Sequence, residues 1–166
     1  MKVAVIANNG SAILDYYENE NVKNFVDGSI KKILTKLKRR KGITCLSGLS
    51  RDIEQNFCHI CESLKIPYSA YIPFEGQELA WPKPIKDRYH DLIDNAEDVV
   101  FSDYGSYSPR KIKLRDRLII DEASIVIIVW DKRESGRAFD CLNYTKETED
   151  KKVIVIDMVG LTVNEY

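Results

Sequence analysis

Apolar residues along this chain fall into two kinds of run that alternate. The first kind is short, continuous and rich in β-branched residues: 2–7 (KVAVIA), 43–46 (ITCL), 66–73 (IPYSAYIP), 98–102 (DVVFS), 124–130 (SIVIIVW) and 152–157 (KVIVID). Such runs predict strands. The second kind spaces apolar residues three or four apart, as at Val22, Phe25, Val26, Ile30, Ile33, Leu34 and Leu37, or at Ile53, Phe57, Ile60, Cys61 and Leu64. That period predicts helices. Others are predicted over 84–95, over 111–122, and from Phe139 through Leu142 to Thr148. Residues 15–21 are acidic and polar and predict a loop, and the tail 158–166 predicts a short cap on the sheet. Strand and helix in alternation give an α/β fold, a doubly wound, mostly parallel sheet in a single domain over 1–166. The runs at 2–7 and 124–130 have no polar alternation, so both are expected to be buried on two faces, with 124–130 as the central strand.

In such sheets ligands bind outside the carboxyl ends of the strands. Four loops follow strands and are expected to gather on that edge. Asn8, Asn9, Gly10 and Ser11 tolerate positive φ and either face a ligand or make a plain turn. The stretch 43–52 (ITCLSGLSRD) reads as strand, tight turn and helix N-terminus, with Ser47, Gly48, Ser50 and Arg51 at the turn. A helix N-terminus carries unpartnered N–H groups and partial positive charge, which suits an anion. In 74–82 (FEGQELAWP), Phe74, Gln77 and Trp81 either frame a flat ring or anchor the next helix. The fourth loop holds Asp131, Ser135, Gly136 and Arg137. In mid-helix, Arg115 either pairs with surface acids such as Asp116 or reaches a phosphate. Arg51, Lys132, Arg133 and Arg137 stand against Glu54, Glu75, Glu78 and Asp131. That mixture fits a ligand with phosphate and a polar ring, with Arg51 and Arg137 facing it together.

Composition narrows the classes. Hydrophobic residues make up 44% and charged residues 31%, ordinary for a globular chain. A net charge of -1 gives no basic surplus, so nucleic acid is not the expected partner. The basic group Lys31, Lys32, Lys36, Lys38, Arg39 and Arg40 reads as a solvated helix end that complements the dipole. Cys58, His59 and Cys61 lack a second pair to complete four ligands, so no metal or cofactor is expected and the thiols read as core residues. No apolar run approaches the roughly 20 residues that span a bilayer. With the first strand starting at Met1 and the thiols reduced, a cytoplasmic protein without a membrane partner is the expectation.

Several motifs resemble the YpsA/YoqJ-type group of the SLOG superfamily, Rossmann-like relatives of DprA and of LOG-type proteins. They are Ser47-Gly48 with Arg51 and Glu54, Pro73-Phe74-x-x-Gln77-x-x-x-Trp81, Tyr89, Arg115-Asp116, and Ile128-Val129-Trp130-Asp131 with Ser135-Gly136. The resemblance spans nearly the whole chain. It implies a doubly wound sheet, a nucleotide or nucleotide-derived ligand (ADP-ribose-like or nucleotide-sugar) and homo-oligomers. A phage or prophage origin is also expected. The chain departs from the group at three places. Asn8-Asn9-Gly10-Ser11 stands where a Gly-His-Arg-like or other glycine-containing turn is common, Asp52 stands where glycine is common, and Ser135-Gly136-Arg137-Ala138 replaces Ser-Gly-Gly-Thr. The PGGxGTxxE motif of phosphoribohydrolases is absent. Three functions follow as expectations: a sensor or sequestering protein for a nucleotide signal, an enzyme acting on an N-glycosidic bond, or a DprA-like nucleic-acid processing factor. The second would draw on Glu54, Glu75, Glu78 or Asp131 as catalytic acids.

Overall fold

The six β-branched runs, with one further strand from the tail, form a seven-stranded sheet. In the computed structural model, which describes residues 1–40, 42–102 and 105–166, its strands are β1 (Lys2–Ala7), β2 (Thr44–Ser47), β3 (Tyr68–Ile72), β4 (Asp98–Phe101), β5 (Ile125–Trp130), β6 (Lys152–Asp157) and β7 (Thr162–Glu165). Their order across the sheet is β4-β3-β2-β1-β5-β6-β7, and all pairings are parallel except β6 with β7. The middle strand is therefore β1 and not the run 124–130 as expected; that run forms β5, beside it. Both need covering on two faces, because their residues alternate between two separate cores.

Helices supply that cover. A 3-10 turn (Gly10–Ile13) leads into α1 (Leu14–Glu18) and α2 (Glu20–Arg40), followed by α3 (Ile53–Ser63), α4 (Lys83–Asn95), α5 (Pro109–Glu122) and α6 (Arg137–Glu147). Val3, Val5 and Ala7 of β1 pack with Val26, Ile30 and Leu34 of α2, Phe57 of α3 and Leu92 of α4. Ala4 and Ile6 pack the other way, with Ile119 and Ile120 of α5 and Ala138 and Leu142 of α6. Helices thus lie on both faces, and the fold is doubly wound as expected.

Two segments differ from the expectation. The segment 15–21 is helical rather than loop except at Asn19, which is extended between α1 and α2. Tyr16 is buried, with its hydroxyl donating to Asp27 (2.8 Å) and accepting from Asn56 (3.1 Å), and this anchors α1. Asn19 then caps α2, its Oδ1 accepting from the N–H groups of Asn21 and Val22. The tail is an antiparallel edge strand rather than a cap. Asp157 Oδ1 accepts from Val159 and Gly160 N–H and turns the chain back, and Val153 and Tyr166 exchange backbone hydrogen bonds. The stretch 104–109 (YGSYSP), whose composition predicts a turn-rich loop, begins outside the described residues.

Candidate functional site

The strand order reverses between β1 and β5. In an open parallel sheet this opens a crevice at the carboxyl edge. A cleft of about 510 Å³ lies on that edge. It takes Asn9 from the loop after β1, Ser50 from that after β2, Phe74, Gln77 and Trp81 from that after β3, Tyr107 from that after β4, Gly136 from the turn after β5, and Arg137 from the first position of α6. Helix α5 adds Pro109, Ile112, Lys113, Arg115 and Asp116, and α6 adds Asp140 and Cys141. One wall is aromatic: Phe74 meets Tyr107 edge to face at 5.6 Å, and Trp81 meets Tyr89 in the same way at 5.4 Å.

The floor is a buried ion network. Arg115 is fully buried and Asp116 is 2% exposed. Arg115 Nε donates to Asp116 Oδ1 (2.8 Å), Nη1 to the carbonyls of Gly48 (2.7 Å) and Tyr71 (3.1 Å), and Nη2 to Ser50 Oγ (3.4 Å). Arg137 grips Asp116 with both prongs of its fork, at 2.6 and 2.7 Å. Its Nη1 reaches the Ala7 carbonyl (2.9 Å), Ser50 Oγ (3.3 Å) and Glu54 Oε1 (2.5 Å). Burial pushes the Asp116 carboxyl up, but Arg137 and Arg115 outweigh it and hold the group below its ordinary value. The same two carboxylates, Asp116 and Glu54, raise Arg137 against its own burial. Glu54 is engaged on both oxygens, accepting from the N–H groups of Ala7 (3.3 Å) and Ser50 (3.2 Å) besides Arg137. Burial and the Asp116 charge push the Cys141 thiol up to about 12, so it stays protonated near neutral pH.

The corner between β2 and α3 is shaped by unusual backbone. Leu49 has φ 51°, and Asp52 has φ 80° and ψ -113°. Few side chains adopt the second conformation without strain. Asp52 is held there by its carboxylate, which accepts from Gly10 N–H at 3.0 Å. At the equivalent corner before α6, Gly136 takes φ 87° and ψ -178°, a region open essentially to glycine alone. A pair of variants separates backbone from side chain at Asp52. Both Asp52→Ala and Asp52→Gly lose the carboxylate, but only glycine relieves the strain. Asp52→Gly is expected to be the more stable of the two by about 1 kcal/mol, read from urea unfolding of both.

Eight of the residues picked out in the sequence line the cleft: Asn9, Ser50, Phe74, Gln77, Trp81, Arg115, Gly136 and Arg137. The others do not. Asn8 is spent on the fold, its Oδ1 capping α6 by accepting from Ala138 N–H (3.0 Å). Ser47 is buried and bonded within its own corner, and the Gly48 carbonyl accepts from Arg115 and from Gln77 Nε2 (3.1 Å). Ser11 and Asp131 line a different hollow, and Asp131 pairs with Arg133 at 2.6 Å. Gly10, Glu75 and Ser135 are also outside the cleft lining.

Arg51 is not in the lining either. The corner delivers Ser50 to the cleft and leaves the Arg51 guanidinium beside Gly10 and Asp52. Contrary to the expectation from the sequence, Arg51 therefore does not line the cleft together with Arg137. Nor is Asp116 a surface partner of Arg115, since both are buried. The spacing of Ile112, Arg115, Asp116 and Ile119 carried a signal for this. A charged pair occupies positions three and four residues along the apolar stripe of α5, where core residues belong.

The YpsA profile, described as the YspA SLOG family, matches residues 12–163. The chain belongs to this SLOG family. Among similar proteins, the SPbeta prophage-derived protein YoqJ of Bacillus subtilis is 28% identical over 134 residues, covering 72% of this chain and 77% of YoqJ. A UPF0398 protein of Lysinibacillus sphaericus is 26% identical over 102 residues, covering 61% of this chain and 55% of that protein. DNA processing protein A (DprA) of Streptococcus pneumoniae superposes with a TM-score of 0.63 at 19% identity, covering 93% of this chain and 49% of DprA. The SLOG chain thus spans about half the length of DprA and of the UPF0398 protein, and shares the fold of the former. Its family motifs converge physically: Gln77 Nε2 donates to the Gly48 carbonyl and to Tyr89 OH (3.4 Å), while Arg115 bonds Gly48 and Asp116. Among the described residues no helix is long and apolar enough to cross a membrane.

Proposed function

We propose that this cleft binds a nucleotide or nucleotide-derived small molecule, ADP-ribose-like or nucleotide-sugar in type, and that the protein senses or sequesters it. The observation that carries this reading is the cleft at the strand-order reversal, with an aromatic wall facing a polar floor. Its volume lies within the range of small-molecule sites. A binding role is favoured over cleavage of an N-glycosidic bond because the buried acids at the floor are already committed. Glu54 and Asp116 hold arginines and backbone N–H groups, which leaves neither carboxylate positioned to act as nucleophile or base. The net charge of -1 favours a small ligand over the DNA named for DprA. The prophage origin of YoqJ supports a phage or prophage setting, and homo-oligomers, readable by light scattering, complete the proposal.

The test is thermal stabilisation of the protein by a panel of nucleotides, NAD, ADP-ribose and cyclic nucleotides, with mass spectrometry of the recovered ligand. A true ligand at about 100 times its Kd should stabilise the fold by about 2.7 kcal/mol and be recovered intact. Released base would establish the enzyme instead. Tyr107 gives a direct check, because it is 68% exposed and contributes to the wall. Tyr107→Ala should leave stability within about 0.5 kcal/mol of wild type. It should weaken binding roughly tenfold, the order expected for losing an aromatic contact with a base.

A further inference from the structure

We propose that the cleft recognises the uncharged nucleoside part of its ligand and leaves any phosphate in solvent. This rests on the reading of the cleft as a nucleotide-type site and narrows it. A guanidinium has five N–H donors. Arg115 has four committed, to Asp116, Gly48, Tyr71 and Ser50. Arg137 also has four committed, through Nε, both hydrogens of Nη1 and one of Nη2. With one N–H left apiece, neither arginine can grip a phosphate with a two-pronged fork without giving up a partner it now holds, and leaving Asp116 would strand a carboxylate that is almost fully buried. The charges of the site also balance. Lys113, Arg115 and Arg137 line it with Asp116 and Asp140, and Glu54 sits against Arg137. Their formal charges sum to zero, so the side chains give no cationic surplus to attract an anion.

The groups left over are neutral. Gln77 spends its Nε2 on Gly48 and Tyr89, which leaves Oε1 as an acceptor in the lining. Ser50 Oγ accepts from both arginines, so its own hydrogen is directed elsewhere, and Ser50 borders the cleft. Asn9 adds an amide at the mouth. Together with Phe74, Trp81, Tyr107, Pro109 and Ile112, these groups complement a flat heteroaromatic ring and sugar hydroxyls.

Titration calorimetry of the full chain decides the matter. The probes are adenosine, guanosine, cytidine and uridine, each with its 5′-mono- and 5′-diphosphate, plus ADP-ribose, at 25 and 250 mM salt. For the preferred base, nucleoside and phosphates are expected to bind within about threefold of one another at both salts. A phosphate that tightens binding more than threefold, or an affinity that falls more than threefold at high salt, would overturn the inference and leave the cleft assignment standing. If none of the probes binds, the cleft assignment itself fails and this inference with it.

Discussion

Asp116→Asn is expected to lower the unfolding free energy by about 3–5 kcal/mol, the usual cost of breaking a buried ion pair from one side. The carboxylate is the shared anion of two guanidiniums, one fully buried and one mostly so. Among the described residues, its loss leaves Arg115 with no anionic partner and Arg137 with Glu54 alone. Urea unfolding measures the effect, and a loss under about 1 kcal/mol, a surface-pair value, would show that the network carries little of the stability. The acid limb supplies a second signature. Folding lowers the Asp116 pKa, so its ionised form stabilises the native state above the unfolded carboxylate value of about 3.9. That contribution disappears as pH falls through the lower native value. The wild type should therefore lose stability across that window, while the variant, with no carboxylate there, loses less.

Gly48→Ala is the second large effect. A methyl at Gly48 would overlap Nη1 and Cζ of Arg115 and stand 2.9 Å from Nε. Arg115 has no room to withdraw, being fully buried and bonded on every nitrogen. Overpacking of this kind costs about 2–3 kcal/mol. Because the clash has one partner, the cost should depend on that partner. In the background of Arg115→Ala, the same glycine substitution should be nearly free, and the two effects should sum to more than the double variant shows. Additive costs from unfolding of all three variants would place the glycine's requirement elsewhere.

The fold could be read from the chain because β-branched runs and three-or-four spacing report burial directly. Even so, Thr162, Val163, Asn164 and Glu165 of β7 gave no signal, since all are exposed and the strand exists through backbone pairing with β6. The helix at Leu14–Glu18 was hidden in the same way, its acidic residues masking one buried tyrosine. Of the site, the loops could be placed because every one follows a strand. The roles of the arginines could not. Arg137 looks like a phosphate ligand when its neighbours are serine and glycine. It becomes a structural clamp only when Asp116, Glu54 and the Ala7 carbonyl arrive from distant segments. Local sequence carries charge and period, but not the distance between charges from different elements.

The clamp at Arg137 also sets an order for biosynthesis. Arg137 bonds to Ala7, 130 residues earlier, and to Glu54 and Asp116 between them. A nascent chain that has emerged only through β5 already holds Glu54 and Asp116 but not the cation that neutralises them both. The carboxyl edge therefore closes only after α6 leaves the ribosome, and a product truncated before residue 137 would hold the segments of β1 to β5 without a finished cleft.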